Sequence, residues 1–249
     1  MRNLWLTTTM GTDSRSKTDD VQRQLRADIL NGRLAPGAKL AFAELRNRYQ
    51  CSTGVIREAL PRLVGEGLVT SEPQLGFRVV AVSTDDLRQL TESRVIIETM
   101  VLRRSIEEGD VAWEARIMGA HHVLASLPML AGDGTVSPDW TAAHADFHAA
   151  LLEACSNTRL RNIANLLRDC AEVYRCWSHT SDQPHKRDIP AEHRRILEAA
   201  LNRDADAAAA ALTGHIELTT EILLRSQRAG AATGGVGQDA AGTALRLMS

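Results

Sequence analysis

Hydrophobic and polar positions recur at helical spacing along most of the chain, and the clearest example lies between residues 52 and 68. Its apolar side chains form one stripe made of Val55, Ile56, Ala59, Leu60, Leu63 and Val64. Ser52 is a good N-cap, and Gly65 and Gly67 end the run. Small, polar or basic residues crowd the start of this helix. That layout is typical of a recognition helix, which presents its N-terminal residues to the base edges of DNA.

The same patterns predict the elements around this helix. Helices at about 19–31 and 42–49 precede it, with a turn at 34–37 and a short strand at 39–41 between them. Two extended runs at 68–71 and 77–82 follow, and Pro73 and Gly76 in their connection are typical of a hairpin. Three helices and a β-hairpin predict a winged helix-turn-helix over residues 19–82. Residues 1–18 are polar without a period, which predicts a disordered leader.

From residue 83 onward the extended runs disappear and helical patterns replace them. We expect helices at 83–108, 111–126, 140–155, 160–177, 190–202 and 204–228, with a loop at 127–139. The chain is therefore mainly α, and its second domain, residues 83–228, is predicted to be an all-α bundle of six or seven helices. The Gly- and Ala-rich residues 229–249 are predicted to be a disordered tail.

Composition limits the class of protein. No apolar run approaches the roughly 18 residues of a membrane-spanning helix, and residues 1–11 lack the apolar core of a signal peptide. The cysteines show no CxxC spacing, which predicts reduced thiols in a cytoplasmic protein; they are Cys51, Cys155, Cys170 and Cys176.

The net charge of −2 hides an asymmetry between the two predicted domains. Residues 21–82 carry nine Lys or Arg and five Asp or Glu, a net charge of +4, whereas residues 83–249 carry −6. A small basic module joined to a larger acidic one fits a head that binds a polyanion, attached to a separate body.

Histidines carry the candidate chemistry of the second domain. His144 and His148 are four residues apart, so both project from one face of a helix. His193 and His215 lie on the last two predicted helices. Imidazoles from three helices that converge inside a bundle can form a three- or four-nitrogen site for a divalent metal. Ordinary core or surface histidines are the alternative, and we expect solvated rings for His121, His122, His179 and His185.

Residues 21–69 resemble the DNA-binding domain of the GntR family of bacterial transcriptional regulators. The resemblance rests on Gly-x-Leu-x-Pro-Gly at 32–37, Val-Ile-Arg-Glu-Ala-Leu at 55–60 and Gly-Leu-Val at 67–69. It implies binding to operator DNA, for which the candidate contacts are Arg46, Ser52, Thr53, Gly54, Arg57 and Arg78. The alternatives are an Arg57 paired with Glu58 or Glu66 and plain surface charges at Arg46 and Arg78. The family usually has Ser-Arg-Thr-Pro where residues 52–55 read Ser-Thr-Gly-Val, so the operator sequence of relatives does not carry over.

Residues 144–151, 192–200 and 215–216 resemble the FCD effector domain of the FadR subfamily. In its metal-binding members, an Asp four residues before the Phe-His histidine joins three His, and His144 occupies that Asp position here. Asp146 points about 200° away around the helix from His144. The resemblance therefore implies a metal site of His144, His148, His193 and His215. A neutral four-His set suits Zn, with Ni, Co or Cu as alternatives, better than Mn or Mg.

Arg94 and Glu98 match the Arg-x-x-x-Glu of the same subfamily. The resemblance implies that Arg94 binds the carboxylate of an effector, because a guanidinium fork suits that group. The alternative is an i,i+4 ion pair on a solvated helix face.

These features together predict a homodimeric transcriptional regulator that is not an enzyme. A small effector, expected to be a carboxylate, would change its affinity for double-stranded operator DNA, and the linker at 81–84 would transmit the change. A regulator that senses the metal itself is one alternative. A metal-dependent bundle enzyme is another, disfavoured because the Glu-x-x-His spacing of di-iron bundles is missing around these histidines.

Overall fold

The computed structural model describes residues 16–81, 83–132, 136–178 and 187–233. The N-terminal part, here called the head, contains three helices followed by a two-stranded antiparallel hairpin. Its elements are α1 (Lys17–Leu30), α2 (Phe42–Tyr49), α3 (Thr53–Gly65), β1 (Val69–Glu72) and β2 (Gly76–Val79). This is the predicted winged helix-turn-helix.

Side-chain caps fix where the helices of the head begin. Ser16 accepts a hydrogen bond from the amide of Asp19, whose carboxylate bonds back to the amide of Ser16, so the two residues form a capping box. The Ser52 hydroxyl accepts from the amide of Val55 at 3.4 Å and caps α3, as predicted.

The second strand of the wing is shorter than the predicted run at 77–82, and the first is shifted by one residue from the predicted 68–71. Val69 pairs with Val79 and Glu72 with Gly76, which leaves residues 73–75 as the turn. The strand predicted at 39–41 is wrong, because only an isolated bridge between Lys39 and Arg78 forms there.

The second part of the described chain, here called the bundle, consists of six helices, in agreement with the predicted all-α architecture. They are α4 (Thr84–Glu108), α5 (Val111–Ser126), α6 (Pro138–Leu152), α7 (Thr158–Ser178), α8 (Ile189–Leu201) and α9 (Ala205–Thr233). One apolar core joins all six, with Phe147, Leu151, Ile117 and Ile196 among its fully buried side chains. None of the helices in the described ranges combines the length and the apolar character needed to cross a bilayer.

Several helix boundaries differ from the sequence expectations. α1 begins at Lys17, inside the predicted leader, and α9 extends to Thr233, inside the predicted tail. α6 begins at Pro138 because Ser137 caps it and a proline suits the first helical turn. The remaining residues of the leader and the tail lie outside the described ranges.

The head packs on α7 of the bundle. Val173 is fully buried within the apolar cluster of the head. Arg26 of α1 forms an ion pair with Asp169, and the Cys170 thiol lies 3.6 Å from the carbonyl oxygen of Glu66. One turn further along, the Tyr174 hydroxyl donates a hydrogen bond to Asp86 in the first turn of α4. One helix therefore contacts both the head and the start of the bundle.

Candidate metal centre and nucleic-acid interface

Four histidines from three helices converge inside the bundle. α6 supplies His144 and His148, α8 supplies His193, and α9 supplies His215; all four are buried. One ring nitrogen from each lies within 4.8 Å of the other three. The structure therefore brings together all four of the predicted metal ligands.

Aromatic residues of α6 enclose the cluster. The Trp140 ring stacks on His144 with a centroid separation of 4.8 Å and an interplanar angle of 18°. Phe147 has no exposed surface, and its ring lies 5.4 Å from the rings of both His148 and His193. The imidazoles are thus fixed by apolar neighbours on the helix that carries two of them.

Burial lowers the pKa of three of the four imidazoles, His148, His193 and His215, and so favours their neutral form. It lowers the pKa of His193 to about 3, and it is the main reason, ahead of the neighbouring histidines, that the pKa of His148 lies well below its ordinary value. The Nε2 atoms of both rings are buried without a hydrogen-bond partner among the described residues. Neutral rings with uncommitted nitrogens are what a divalent metal requires of histidine ligands.

The fourth histidine is oriented by a polar network that the sequence patterns did not reveal. His215 Nδ1 lies 2.8 Å from Glu192 Oε2, so the carboxylate accepts the Nδ1 proton and Nε2 keeps its lone pair. Arg187 donates to both carboxylate oxygens of Glu192, at 2.6 and 2.8 Å, and to Thr219 Oγ1. Burial raises the pKa of Glu192, but the hydrogen bonds from Arg187 and His215 outweigh it and lower that pKa to about 2.

The separations suit one small ion. Four nitrogens at the 2.0–2.1 Å bond length of zinc lie about 3.4 Å apart in a tetrahedron. The observed limit of 4.8 Å means that the nitrogens would have to approach one another by at most about 1.4 Å to reach that geometry. Asp146 lies apart from the cluster, with its carboxylate bound to Arg116 on α5 at 2.6 and 3.1 Å.

The four remaining histidines divide into three groups. His122 is exposed, as predicted. His121 is not solvated as predicted: it is partly buried, its ring lies 5.4 Å from that of Phe147, and burial lowers its pKa. It lines a small apolar pocket of about 100 Å³ together with Trp140 and His193. His179 and His185 lie outside the described residues.

Buried charges lie beside the histidines on α4 and α7. Arg94 Nε donates to Glu98 Oε1 at 2.6 Å, and both side chains are almost completely buried. The alternative interpretation of Arg94 is therefore half right: the i,i+4 ion pair exists, but it lies inside the bundle and not on a solvated helix face. Sequence reasoning missed Arg168 and Glu172, which are buried on α7. The signal for both was a charged residue at a core position of the helix: Arg168 lies between the buried Ala164 and Ala171, and Glu172 lies between the buried Ala171 and Val173.

Four of the predicted DNA-contacting residues lie at the start of α3: Ser52, Thr53, Gly54 and Arg57. Arg57 is exposed, and neither acidic residue proposed as its alternative partner pairs with it among the described residues. Glu58 accepts a hydrogen bond from Thr18 at 3.0 Å, and Glu66 pairs with Arg26 at 3.2 Å. The guanidinium of Arg57 has no ion pair within the described part of the chain.

The other candidate DNA-contacting residues differ in their exposure and in whether their side chains already make hydrogen bonds. Ser52 and Gly54 are exposed, and Thr53 is partly exposed, at the N-terminus of α3. Arg46 is exposed on α2. Arg78 lies within β2, where its Nη1 donates to the carbonyl oxygen of Gly37 at 3.1 Å and its Nε lies 3.9 Å from Glu72. Arg78 is therefore inside the wing strand and not at its tip.

Comparison with protein families gives two matches that follow this division. Residues 17–79 match the bacterial regulatory proteins of the gntR family, and residues 89–218 match the FCD domain. FCD domains often bind metals, and the four-histidine cluster lies within this match. The matched families and the curated relatives are transcriptional regulators and not enzymes.

Individual relatives extend over most of the chain. It is 37% identical to the uncharacterized HTH-type transcriptional regulator BphR of Paraburkholderia xenovorans, over 84% of this chain and 86% of that protein. It is 30% identical to the HTH-type transcriptional repressor GlaR of Escherichia coli, over 85% and 97% respectively. Among solved structures it is similar to E. coli McbR/YncC, with a TM-score of 0.71 and 19% identity over 86% of this chain and 99% of the other. That last similarity concerns the fold alone.

Proposed function

This chain belongs to the gntR family of bacterial regulatory proteins and carries an FCD domain, and from that premise we propose how it works. It is a transcriptional regulator. In our proposal it acts in the cytoplasm as a homodimer, and its affinity for operator DNA depends on a small carboxylate bound beside a metal ion in the bundle.

The proposal that the bundle binds a metal ion and a small carboxylate rests on the buried four-histidine cluster. His144, His148, His193 and His215 would hold a divalent transition metal, with Zn²⁺ favoured and Ni²⁺, Co²⁺ or Cu²⁺ as alternatives. Such an ion supplies a Lewis acid that attracts an anionic oxygen. The chain contributes neutral rings, a Glu192 that orients His215, and an enclosure of aromatic side chains.

The proposal that the protein recognises operator DNA rests on the start of α3. Its exposed N-terminus and Arg57, which forms no ion pair with the described residues, can contact phosphates or base edges in the major groove, with Ser52, Thr53 and Gly54 close to the DNA backbone. Arg46 on α2 and Arg78 in the wing add positive charge on either side. Each contact that neutralises a phosphate makes binding more sensitive to salt.

Dimer formation is supported by apolar surface on two adjacent helices. Ile96 and Met100 on α4 and Ile163 on α7 are exposed, although most apolar side chains of the bundle are buried. Burying such side chains against a second copy would be favourable. Two heads related by a two-fold axis would then bind a palindromic operator.

The experiment that tests DNA reading is footprinting of the protein on the promoter of its own gene. Arg57→Ala is expected to remove the footprint, because one main charged contact at the recognition helix is lost, while circular dichroism stays unchanged. Arg23→Ala is the matched control, since Arg23 is an exposed arginine of the same head on α1. An undiminished footprint with Arg57→Ala would contradict the proposed docking.

A second function, sensing of the metal itself, is favoured by one feature of the cluster. Four protein ligands can fill a tetrahedral zinc site completely, as in structural sites, whereas catalytic sites keep a position open. A footprint that disappears on chelation and returns with zinc, in the absence of any organic acid, would support this function. A footprint that responds only to an acid added to metal-loaded protein would support the first.

A further inference from the structure

Arg168 of α7 has an uncommitted donor buried in the bundle. Its Nη2 donates to Asn165 Oδ1 at 2.9 Å, whereas Nη1 is buried with no hydrogen-bond partner among the described residues. The residue as a whole is 5% exposed. A buried charged donor without a partner is costly, so its retention calls for an explanation.

Two other arginines of the described bundle, Arg94 and Arg187, differ from Arg168 because each is bound to a carboxylate. Arg94 is buried and donates to Glu98, and Arg187 is partly buried and donates to both oxygens of Glu192. Within the described residues, Arg168 makes no ion pair, and its side-chain hydrogen bond is the one to Asn165. The Nη1 of Arg168 is therefore available to a ligand without breaking an existing ion pair.

The position of Arg168 places this donor beside the histidines. Glu172 lies one helical turn after Arg168 on α7, and its Oε1 is 4.0 Å from His144 Nδ1. Residues four apart share a helix face, so Arg168 lies on the face of α7 that meets the histidine cluster. A divalent ion held by neutral imidazoles would add two positive charges to this region, which favours an anionic ligand.

We propose that Arg168 binds the carboxylate of the effector through Nη1, next to the metal centre, so that the effector is a small organic acid. This inference rests on the proposed function and adds the residue that recognises the acid. Arg94 is already engaged by Glu98 at 2.6 Å. A guanidinium distinguishes a carboxylate from its neutral amide, because the amide offers one acceptor oxygen and no charge.

The test is calorimetric titration of the zinc-loaded full chain with acetate, succinate and citrate, and with succinamide as the neutral counterpart. At least one acid is expected to bind, and succinamide is not. Arg168→Met should weaken binding of that acid by about 10-fold or more, the usual effect of losing a hydrogen bond to a charged group. Arg168→Lys, which keeps the charge but not the fork, should weaken it less.

Arg159→Met is the matched control, since Arg159 is an exposed arginine on the same helix and should leave affinity unchanged. Zinc content is measured for each variant by native mass spectrometry, and Arg168→Lys carries the test if Arg168→Met loses its helical signal. Wild-type affinity in a zinc-loaded Arg168→Met or Arg168→Lys protein would overturn the role of Arg168 alone. Zinc-loaded wild-type protein that binds none of the acids would overturn the proposed carboxylate effector as well.

Discussion

Glu192 gives a direct residue-scale test of the proposed metal centre. Its carboxylate accepts the Nδ1 proton of His215 and is itself held by Arg187. Glu192→Gln keeps the size of the side chain but removes the charge that fixes the tautomer and raises the basicity of the ring. We expect zinc affinity to fall about 10- to 100-fold, as is usual for the outer partner of a histidine ligand.

The affinity is measured by competition with a chromophoric chelator. Glu198→Gln is the matched control, because Glu198 is an exposed acid on the same helix. Equal zinc affinity in the two variants would show that the hydrogen bond between Glu192 and His215 does not support metal binding.

At the residue scale, the sequence predicted the four histidines of the cluster but not the residues that orient them. The i,i+4 spacing of His144 and His148, with the family resemblance, located the cluster. Arg187 and Glu192 act through contacts that join the start of α8 to α9, and no local period encodes such a contact. Arg168 could have been noticed as a charge on the core face of α7.

At the scale of elements, α2 and α5 have the predicted boundaries. Where other boundaries were predicted wrongly, a physical reason can be named. Residues 42–49 and 111–126 were predicted from their apolar period and are helical over those ranges. α1 begins early because Ser16 and Asp19 form a capping box. The strand at 39–41 failed because its pairing depends on a distant partner, Arg78, which supports a single bridge.

The contact between α7 and the head could not be predicted, because a helical period identifies an apolar face without naming its partner. Cys170 makes this contact measurable. Its thiol is packed near Gly67 and the Glu66 carbonyl, and burial, assisted by the charge of Asp169, raises its pKa to about 11. At pH 8 only about 0.1% of such a thiol is ionised, so alkylation should be roughly 100-fold slower than for an ordinary cysteine.

Peptide mass spectrometry after timed iodoacetamide treatment gives this rate. Arg26→Ala removes the ion pair between the head and Asp169 without removing the Asp169 charge, so faster alkylation of Cys170 would report a loosened contact. Arg23→Ala, one turn earlier on α1, should leave the rate unchanged. Rapid alkylation of wild-type Cys170 would mean that the head does not rest on α7 in solution.

At the scale of the whole molecule, α7 connects the two proposed activities. One side of it carries Arg168 and Glu172 next to the histidines, and another carries Asp169, Cys170 and Val173 against the head. A ligand that shifts α7 by a small amount would therefore bias the position of the head directly. This route adds to the linker at 81–84, where Tyr174 already contacts the first turn of α4.

Removing the metal should lower the thermal stability of the bundle much more than that of the head. The proposed ligands join α6, α8 and α9, so a metal ion binds the folded bundle and not its unfolded chain. At a free zinc concentration about 1,000 times the dissociation constant, binding adds about 4 kcal/mol. For a domain of this size that corresponds to a rise in Tm of roughly 10 °C.

The head has its own apolar core, to which the bundle contributes Val173, so its unfolding should change much less. Calorimetric scans of chelated and zinc-reloaded protein should therefore show one transition that moves and one that stays nearly fixed. His148→Ala is expected to abolish the shift and His122→Ala, at an exposed site, to preserve it. If zinc stabilised the His148→Ala protein as much as the wild type, the ion would have to bind elsewhere, and the four-histidine cluster would not be the metal site.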